Sequence, residues 1–254
     1  MLTDTHTHLY SEVFKEDRDA VMQRARDAGI DRFFIPAIDS SHTDAMYDLE
    51  SKYPNEVFLM MGLHPTSVKE DFEKELAHVE EQFKLRSFYA VGEIGIDLFW
   101  DTTTLSIQKT AFKRQIQLAK KYKLPIVIHC RDAFDEIFEV LEIEKGDDLF
   151  GIFHCFSGTL EQAKRAISYN MKLGIGGVVT FKNGKIDTFL DQIELKHIVL
   201  ETDSPYLAPA PNRGKRNESS YLRLISKKLS LIYGVSEEEL AFTTTKNAKD
   251  VFGV

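Results

Sequence analysis

The sequence predicts a single (β/α)8 barrel, a TIM-like fold of the α/β class, covering residues 1–254. Short strand-like segments alternate with helix-like segments, an order typical of a parallel sheet. Eight such units in 254 residues average about 32 residues each, close to the usual size for this barrel. Residues with metal-ligating side chains follow several of the strand-like segments, and barrel enzymes carry their sites at those C-terminal strand ends.

The strand-like segments are short apolar runs, and several of them close on a histidine or an acidic residue. In chain order we expect strands over Leu2–His8, Arg32–Pro36, Val57–Leu63, Phe88–Ile94, Pro125–His129, Leu149–His154, Met171–Ile175 and Lys196–Glu201. The alternative fold is an open doubly wound sheet. It gives no reason for residues of the first and last strands to converge, whereas a closed barrel places those strands side by side.

The helix-like segments separate these strands and end at residues that stop helices. Gly29 ends the first of them, Pro54 follows the second, and Gly234 ends the next to last. We expect helices over Arg18–Ala28, Ser41–Tyr53, Glu70–Phe83, Leu105–Tyr122, from about Ala133, Leu160–Tyr169, Ser219–Tyr233 and Ser236–Val251.

Composition limits the class of protein. The hydrophobic content of 43% is ordinary for a globular chain, and the net charge of −8 argues against general coating of nucleic acid, although a local site can still bind it. No signal peptide and no apolar run of about 20 residues is visible. We therefore expect a cytoplasmic protein without membrane association or an obligatory protein partner.

The two cysteines, Cys130 and Cys155, each directly follow a histidine. Strand alternation turns both thiols away from the barrel interior, towards the helices. We expect two free thiols that neither ligate a metal nor form a disulfide.

The segment Asp4-Thr5-His6-Thr7-His8-Leu9 places two histidines two residues apart. On a strand such residues share a face, so both imidazoles can reach one point. A pair of surface histidines is the ordinary alternative, but further ligand-type residues downstream favour a metal site. The expected ligand set is His6, His8, Glu93, His129, His154 and Asp203. Nitrogen and carboxylate ligands suit zinc, manganese or iron, and six of them can hold two ions.

Other residues are expected to support this set. Asp4 shares the face of the two histidines, and Glu201 shares that of Asp203 and is itself a minor alternative as ligand. His64 precedes a proline, where substrate contact and loop structure are equally favoured. Arg131 is a candidate phosphate contact, with a salt bridge to a neighbouring aspartate as the alternative.

A basic loop follows the last predicted strand. It contains Arg213, Lys215 and Arg216. Such runs are usually solvated surface, but the expected position at the rim of the site favours contacts with phosphate.

Taken together, the motifs resemble the TatD family of metal-dependent hydrolases, a branch of the amidohydrolase-like barrels. The matching segments are DTHTHL at 4–9, GLHP at 62–65, VGEIGID at 91–97, HCRDA at 129–133, HCFSG at 154–158, TDSPYL at 202–207, RGKRN at 213–217 and TTKNA at 244–248. Tyr10, Leu98-Phe99 and Ser219 depart from the usual pattern, none at an expected ligand.

The resemblance implies a deoxyribonuclease of the 3′–5′ exonuclease type with two divalent cations, such as Mg²⁺, Mn²⁺ or Zn²⁺. It groups His6, His8 and Asp203 on one ion and His129 and His154 on the other, with Glu93 bridging. Two such ions activate a water for attack on a DNA phosphodiester, and Asp203 is the expected proton acceptor beside Glu93.

Two other functions remain open at this stage. The same centre suits hydrolysis of a small-molecule amide, lactone or phosphoester, although the basic loop favours phosphate. A non-catalytic metal-binding scaffold is disfavoured because a structural site needs only four ligands.

Overall fold

A computed structural model describes residues 1–254, with eight parallel strands and eight α-helices in one barrel. The strands are β1 Leu2–Asp4, β2 Ile30–Ile35, β3 Val57–Leu59, β4 Val91–Asp97, β5 Ile126–Arg131, β6 Gly151–Phe153, β7 Met171–Ile175 and β8 Ile198–Leu200. All eight predicted strands are present, several of them shorter than expected.

The helices surround the strands. They are α1 Arg18–Asp27, α2 Thr43–Lys52, α3 Phe72–Leu85, α4 Leu105–Tyr122, α5 Phe134–Glu144, α6 Leu160–Ser168, α7 Leu222–Tyr233 and α8 Glu237–Phe252. Local chemistry sets their ends: Ser236 accepts the Glu239 N–H at the start of α8, and Gly234 ends α7 in a left-handed conformation. No helix combines the length and apolarity needed to cross a bilayer.

Hydrogen bonding divides the strands into two ladders, β1-β2-β3 and β4-β5-β6-β7-β8. Short bridges join them at both seams. Between β3 and β4, the Gly92 N–H donates to the Met61 carbonyl at 3.0 Å. Between β8 and β1, the Thr5 N–H donates to the Leu200 carbonyl at 3.0 Å. These contacts bring the first and last strands together, as the barrel prediction requires.

The barrel interior is packed at its N-terminal end. Inward residues from six strands or their immediate flanks meet three residues of α8, and the rings of Phe34 and Phe252 stack at 3.8 Å. The helix α8 therefore covers this end of the barrel. The cluster comprises Phe34, Met60, Ala90, Val127, Ile152, Val199, Ala248, Val251 and Phe252. A larger apolar cluster lies between the strands and the helices.

No α-helix separates β7 from β8, and none was predicted there. Residues 177–197, between β7 and β8, form four short 3-10 turns, and α7 and α8 both follow β8. Ile186 and Leu190 from these turns are fully buried in the outer core. The segment thus covers β7 with apolar side chains as a helix would.

Candidate metal centre

One buried glutamate, Glu93 on β4, lies at the centre of the site, with its side chain 2% exposed. Its Oε2 atom lies 3.1 Å from Nε2 of His6, whereas Oε1 lies 2.7 Å from Nδ1 of His129. The two carboxylate oxygens therefore face different sets of imidazoles.

The first set consists of His6, His8 and Asp203, whose ligand atoms lie within 4.8 Å of one another. Asp203 Oδ1 is 3.6 Å from Nε2 of His8 and 4.0 Å from Nε2 of His6. The predicted first strand was too long: β1 ends at Asp4, and both histidines lie just beyond it. His6 is fixed there because the Asp203 N–H donates to its carbonyl at 2.9 Å, with Asp203 in the left-handed region at φ 55°. His8 is fixed because its own N–H donates to the Ser204 carbonyl at 2.8 Å.

The second set lies around Oε1 of Glu93. His129 on β5 and His154, just after β6, place ring nitrogens 2.7 and 3.5 Å from that oxygen. His64 joins them, with Nε2 3.3 Å from Glu93 Oε1 and 3.2 Å from Nδ1 of His129. The structure thus brings all six expected ligands into one cluster and adds His64 to it.

His64 differs from the other imidazoles in its protonation. Its Nδ1 accepts the backbone N–H of Thr66 at 3.2 Å, so in the neutral ring the proton lies on Nε2. A protonated nitrogen donates hydrogen bonds and does not ligate a cation. His64 is therefore suited to hold an anionic oxygen in front of Glu93.

The donor atoms fit a divalent cation. Burial opposes ionisation of Glu93, yet His64, His154 and His6 hold the pKa of that carboxyl well below its usual range. Burial lowers the pKa of His6, and neither ring nitrogen of this fully buried residue has a hydrogen-bond partner. An ionised, buried carboxylate and a neutral, buried imidazole such as His6 are forms in which these residues bind zinc or manganese.

Three of the imidazoles are held from behind, on the ring nitrogen that faces away from Glu93. Such partners orient a ligand and raise its basicity, and they are part of most metal sites. Two are hydrogen bonds, His8 Nδ1 with the Tyr10 hydroxyl at 3.0 Å and His129 Nε2 with Asp97 Oδ2 at 2.9 Å. The third is an ion-pair contact, with His154 Nδ1 3.0 Å from Glu201 Oε1.

Sequence reasoning named Glu201 among these partners but missed the roles of Asp97 and Tyr10. The signal for Asp97 was available: it follows Glu93 by four residues in β4, so strand alternation puts both on the inner face. Nothing comparable pointed to Tyr10, because β1 does not extend that far.

Asp4 and Glu201 position backbone around the site. The fully buried Asp4 carboxylate accepts the N–H of Thr202 at 2.9 Å and its hydroxyl at 2.6 Å, which fixes the residue before Asp203. Glu201 Oε1 accepts the N–H of Cys155 at 2.6 Å. A Cβ at Gly174 would lie 2.3 Å from Glu201 Oε2, so only glycine leaves room for this carboxylate.

The two thiols are free, as expected, but only one points where strand alternation places it. Cys130 packs in the layer between strands and helices, and burial raises its pKa to about 12. The prediction for Cys155 was wrong. Because β6 ends at Phe153 and Cys155 has φ 44°, alternation no longer applies, and its sulfur lies within 4.8 Å of ligand atoms of His154 and Glu201.

The predicted phosphate contacts occupy distinct environments. Arg131, the last residue of β5, lies against rings and not against a neighbouring aspartate: its guanidinium carbon is 3.7 Å from the centre of the Phe99 ring. Arg213 stacks in the same way on Phe181, at 3.5 Å. Lys215 is exposed.

Arg216 is held within the protein. Its guanidinium donates to both carboxylate oxygens of Asp17, at 2.8 and 2.6 Å, and to the Val13 carbonyl at 2.7 Å. These bonds join the basic loop to the segment before α1. They leave Arg213 and Lys215 as the cations of this loop that lack such a partner.

Comparison with known proteins is consistent with this geometry. The family model described as TatD related DNase matches residues 3–253. The uncharacterized metal-dependent hydrolase YabD of Bacillus subtilis is 36% identical over 255 residues, covering 100% of both chains. The 3′-5′ ssDNA/RNA exonuclease TatD of a Rahnella species is 30% identical over 253 residues, covering 97% of this chain and 96% of that protein.

Solved structures confirm the barrel. The crystal structure of YjjV, a TatD homologue from Escherichia coli K12, superposes with a TM-score of 0.94 at 28% identity, covering 100% of this chain and 98% of the other. An uncharacterized amidohydrolase from Saccharomyces cerevisiae, at 17% identity and a TM-score of 0.86, shares the fold. With a matching family model over nearly its whole length, this chain belongs to the TatD-related DNase family of metal-dependent hydrolases.

Proposed function

We propose that this protein is a deoxyribonuclease of the 3′–5′ exonuclease type that uses two divalent cations. The observation that carries the proposal is the division of Glu93 between two groups of ligands, with Oε2 towards His6 and Oε1 towards His129. A carboxylate that presents its two oxygens to separate nitrogen sets is suited to bridge two cations.

The ligand roles follow from these contacts. One cation would be held by His6, His8 and Asp203, the other by His129 and His154, with Glu93 shared. When bound, the cations supply a water activated near neutral pH and positive charge at the scissile phosphate.

The remaining chemistry belongs to the side chains. Asp203 has a carboxylate that reaches solvent, at 12% side-chain exposure against 2% for Glu93, so its Oδ atoms are suited to accept the proton of the attacking water. His64 donates from Nε2 to a non-bridging phosphate oxygen. Arg131 adds a further cation beyond His129 on the same strand, where charge develops during attack.

Two observations favour nucleic acid over a small substrate: the described functions of related proteins and the positive charge of the basic loop. The matching family is described as a DNase, and the Rahnella relative is named as a 3′-5′ exonuclease of single-stranded DNA and RNA. Arg213 and Lys215 add positive charge in a loop of an otherwise acidic protein. Such cations suit phosphates beyond the one being cleaved.

The test is hydrolysis by protein reconstituted with Mg²⁺, Mn²⁺ or Zn²⁺. Single-stranded DNA, duplex DNA, RNA and bis(p-nitrophenyl) phosphate are compared, with EDTA as a control. We expect chelator-sensitive release of mononucleotides from the 3′ end of 5′-labelled single-stranded DNA. Turnover of the small phosphodiester without cleavage of any strand would overturn the proposed substrate and leave only the hydrolase class.

A further inference from the structure

Two aromatic side chains project from the loop after β4, next to the candidate metal centre. Phe99 is 52% exposed and Trp100 is 70% exposed, although apolar rings of this size are normally buried. Their rings meet edge to face, with centroids 5.0 Å apart. A large exposed aromatic pair beside a site calls for a ligand that covers it.

The pair is joined to the centre through one residue. Asp97 accepts the backbone N–H groups of Phe99 and Trp100 on Oδ1, at 3.0 and 3.2 Å, and its Oδ2 lies 2.9 Å from Nε2 of His129. The same carboxylate therefore fixes the aromatic loop and a candidate metal ligand. The backbone that carries the two rings is consequently fixed relative to His129.

A cation completes the group. The guanidinium carbon of Arg131 lies 3.7 Å from the centre of the Phe99 ring and 5.5 Å from that of Trp100. Stacking on a ring face leaves the N–H groups at the edge of a guanidinium free to reach a phosphate. Phe99, Trp100 and Arg131, here called the aromatic platform, thus combine ring faces with positive charge.

We propose that the aromatic platform binds an unpaired nucleobase of the strand whose phosphodiester is cleaved. Ring faces paired with a cation are the means by which proteins hold single strands without reading their sequence, because every base has a face to stack. In a duplex, neighbouring pairs cover these faces. The platform therefore selects single strands over duplexes and nucleotides over small phosphodiesters.

This inference rests on the proposed nuclease function, and its test separates the two. Trp100 is the only tryptophan of the chain, so tryptophan emission, excited selectively over the tyrosines, reports on the platform alone. The Mg²⁺-loaded protein is titrated with a phosphorothioate-linked oligothymidylate and with an abasic strand of equal length and charge. We expect the base-bearing strand to quench Trp100 and the abasic strand to leave its emission unchanged at equal occupancy.

Hydrolysis gives the second readout. In Trp100→Ala we expect kcat/KM on single-stranded DNA to fall by about tenfold more than on an abasic strand. Trp100→Phe, which keeps a ring face, should restore most of the difference. Phe242→Ala is the matched control, because Phe242 is 73% exposed on α8, the helix that covers the opposite end of the barrel.

The outcomes are distinct. If wild-type protein cleaves DNA but both strands quench Trp100 alike, or Trp100→Ala lowers both rates equally, the platform does not bind a base. If wild-type protein cleaves no nucleic acid and no strand changes its emission, the nuclease proposal fails and the platform with it.

Discussion

His129 is held between two carboxylates: Nδ1 lies 2.7 Å from Glu93 Oε1, and Nε2 lies 2.9 Å from Asp97 Oδ2. Burial disfavours a charged imidazole, but Asp97 and Glu93 raise the pKa of His129 above its ordinary value. A carboxylate behind a ligating imidazole fixes the ring and increases its basicity. Asp97 is therefore a positioning residue for the second proposed cation.

Asp97→Asn should weaken the binding of that cation without removing one of its ligands. We expect metal affinity to fall by about 10–100-fold at one site, because the amide cannot supply the negative charge behind His129. Titration with Mn²⁺ followed by calorimetry measures the change site by site. Asp101→Asn is the control in the same loop, where the carboxylate accepts only from Thr103. Equal affinities in Asp97→Asn and wild type would remove the positioning role.

The cysteines should behave differently from each other. Cys155→Ser places a strong hydrogen-bond donor beside Glu201 and His154, so we expect lowered metal affinity in a folded protein. Cys130→Ser puts a hydroxyl into an apolar layer and should lower the free energy of unfolding by about 1–3 kcal/mol without changing metal affinity. Metal titration measures the affinity of both variants, and urea unfolding measures their free energies of unfolding. Identical metal affinity in Cys155→Ser and Cys130→Ser would contradict the placement of Cys155.

The basic loop should separate into binding and structural residues. Arg213→Ala combined with Lys215→Ala is expected to weaken single-stranded DNA binding and to reduce the slope of log affinity against log salt by about 0.7 for each lost phosphate contact. Arg216→Ala should leave that slope unchanged and lower stability by about 0.5–1 kcal/mol, because its partly exposed guanidinium pairs with Asp17. A reduced slope in Arg216→Ala alone would reverse these roles.

Glu218 gives a pH dependence that is independent of the candidate centre. Burial opposes its ionisation, but hydrogen bonds from Arg24 and Ser220 hold its pKa below the ordinary value. Because the folded pKa is depressed, the stabilisation is present above the unfolded value of about 4.3 and is lost as pH falls through the folded pKa.

The comparison of wild type with Glu218→Gln isolates this contribution. We expect the difference in free energy of unfolding between them to be constant from about pH 7 to pH 5 and to shrink below about pH 4. Urea unfolding at several pH values measures it. A difference that grows on acidification would mean that the carboxylate is not preferentially stabilised in the folded state.

The fold could be predicted from the sequence because its helix and strand patterns are local and repeat along the chain. The helix Leu105–Tyr122 and the strand Met171–Ile175 have the predicted bounds, since both are uninterrupted runs with clear ends. The sequence predicted no helix between β7 and β8, and the structure has none there. Ile186 and Leu190 have helical spacing and are buried, but they lie in short 3-10 turns instead.

Site residues on strands or just past their ends could be named by the same reasoning, but the direction of a side chain beyond a strand end could not. His129 is on a strand, and its inward direction follows from alternation along β5. Cys155 lies beyond the end of β6 at a positive φ, where a single residue changes direction and alternation carries no information. Arg216 reads as a surface cation until its partner Asp17, which is 199 residues away in the chain, is brought beside it by the fold.

The bridging role of Glu93 is tested most directly by counting bound metal. Calorimetric titration with Mn²⁺ is compared between wild type and Glu93→Gln, with Glu218→Gln as a control away from the centre and circular dichroism to verify folding. We expect about two ions per chain in wild type and the control, and about one or fewer in Glu93→Gln, with activity reduced by orders of magnitude. Two ions in Glu93→Gln with activity near that of wild type, or a single ion in wild type, would contradict a carboxylate-bridged pair.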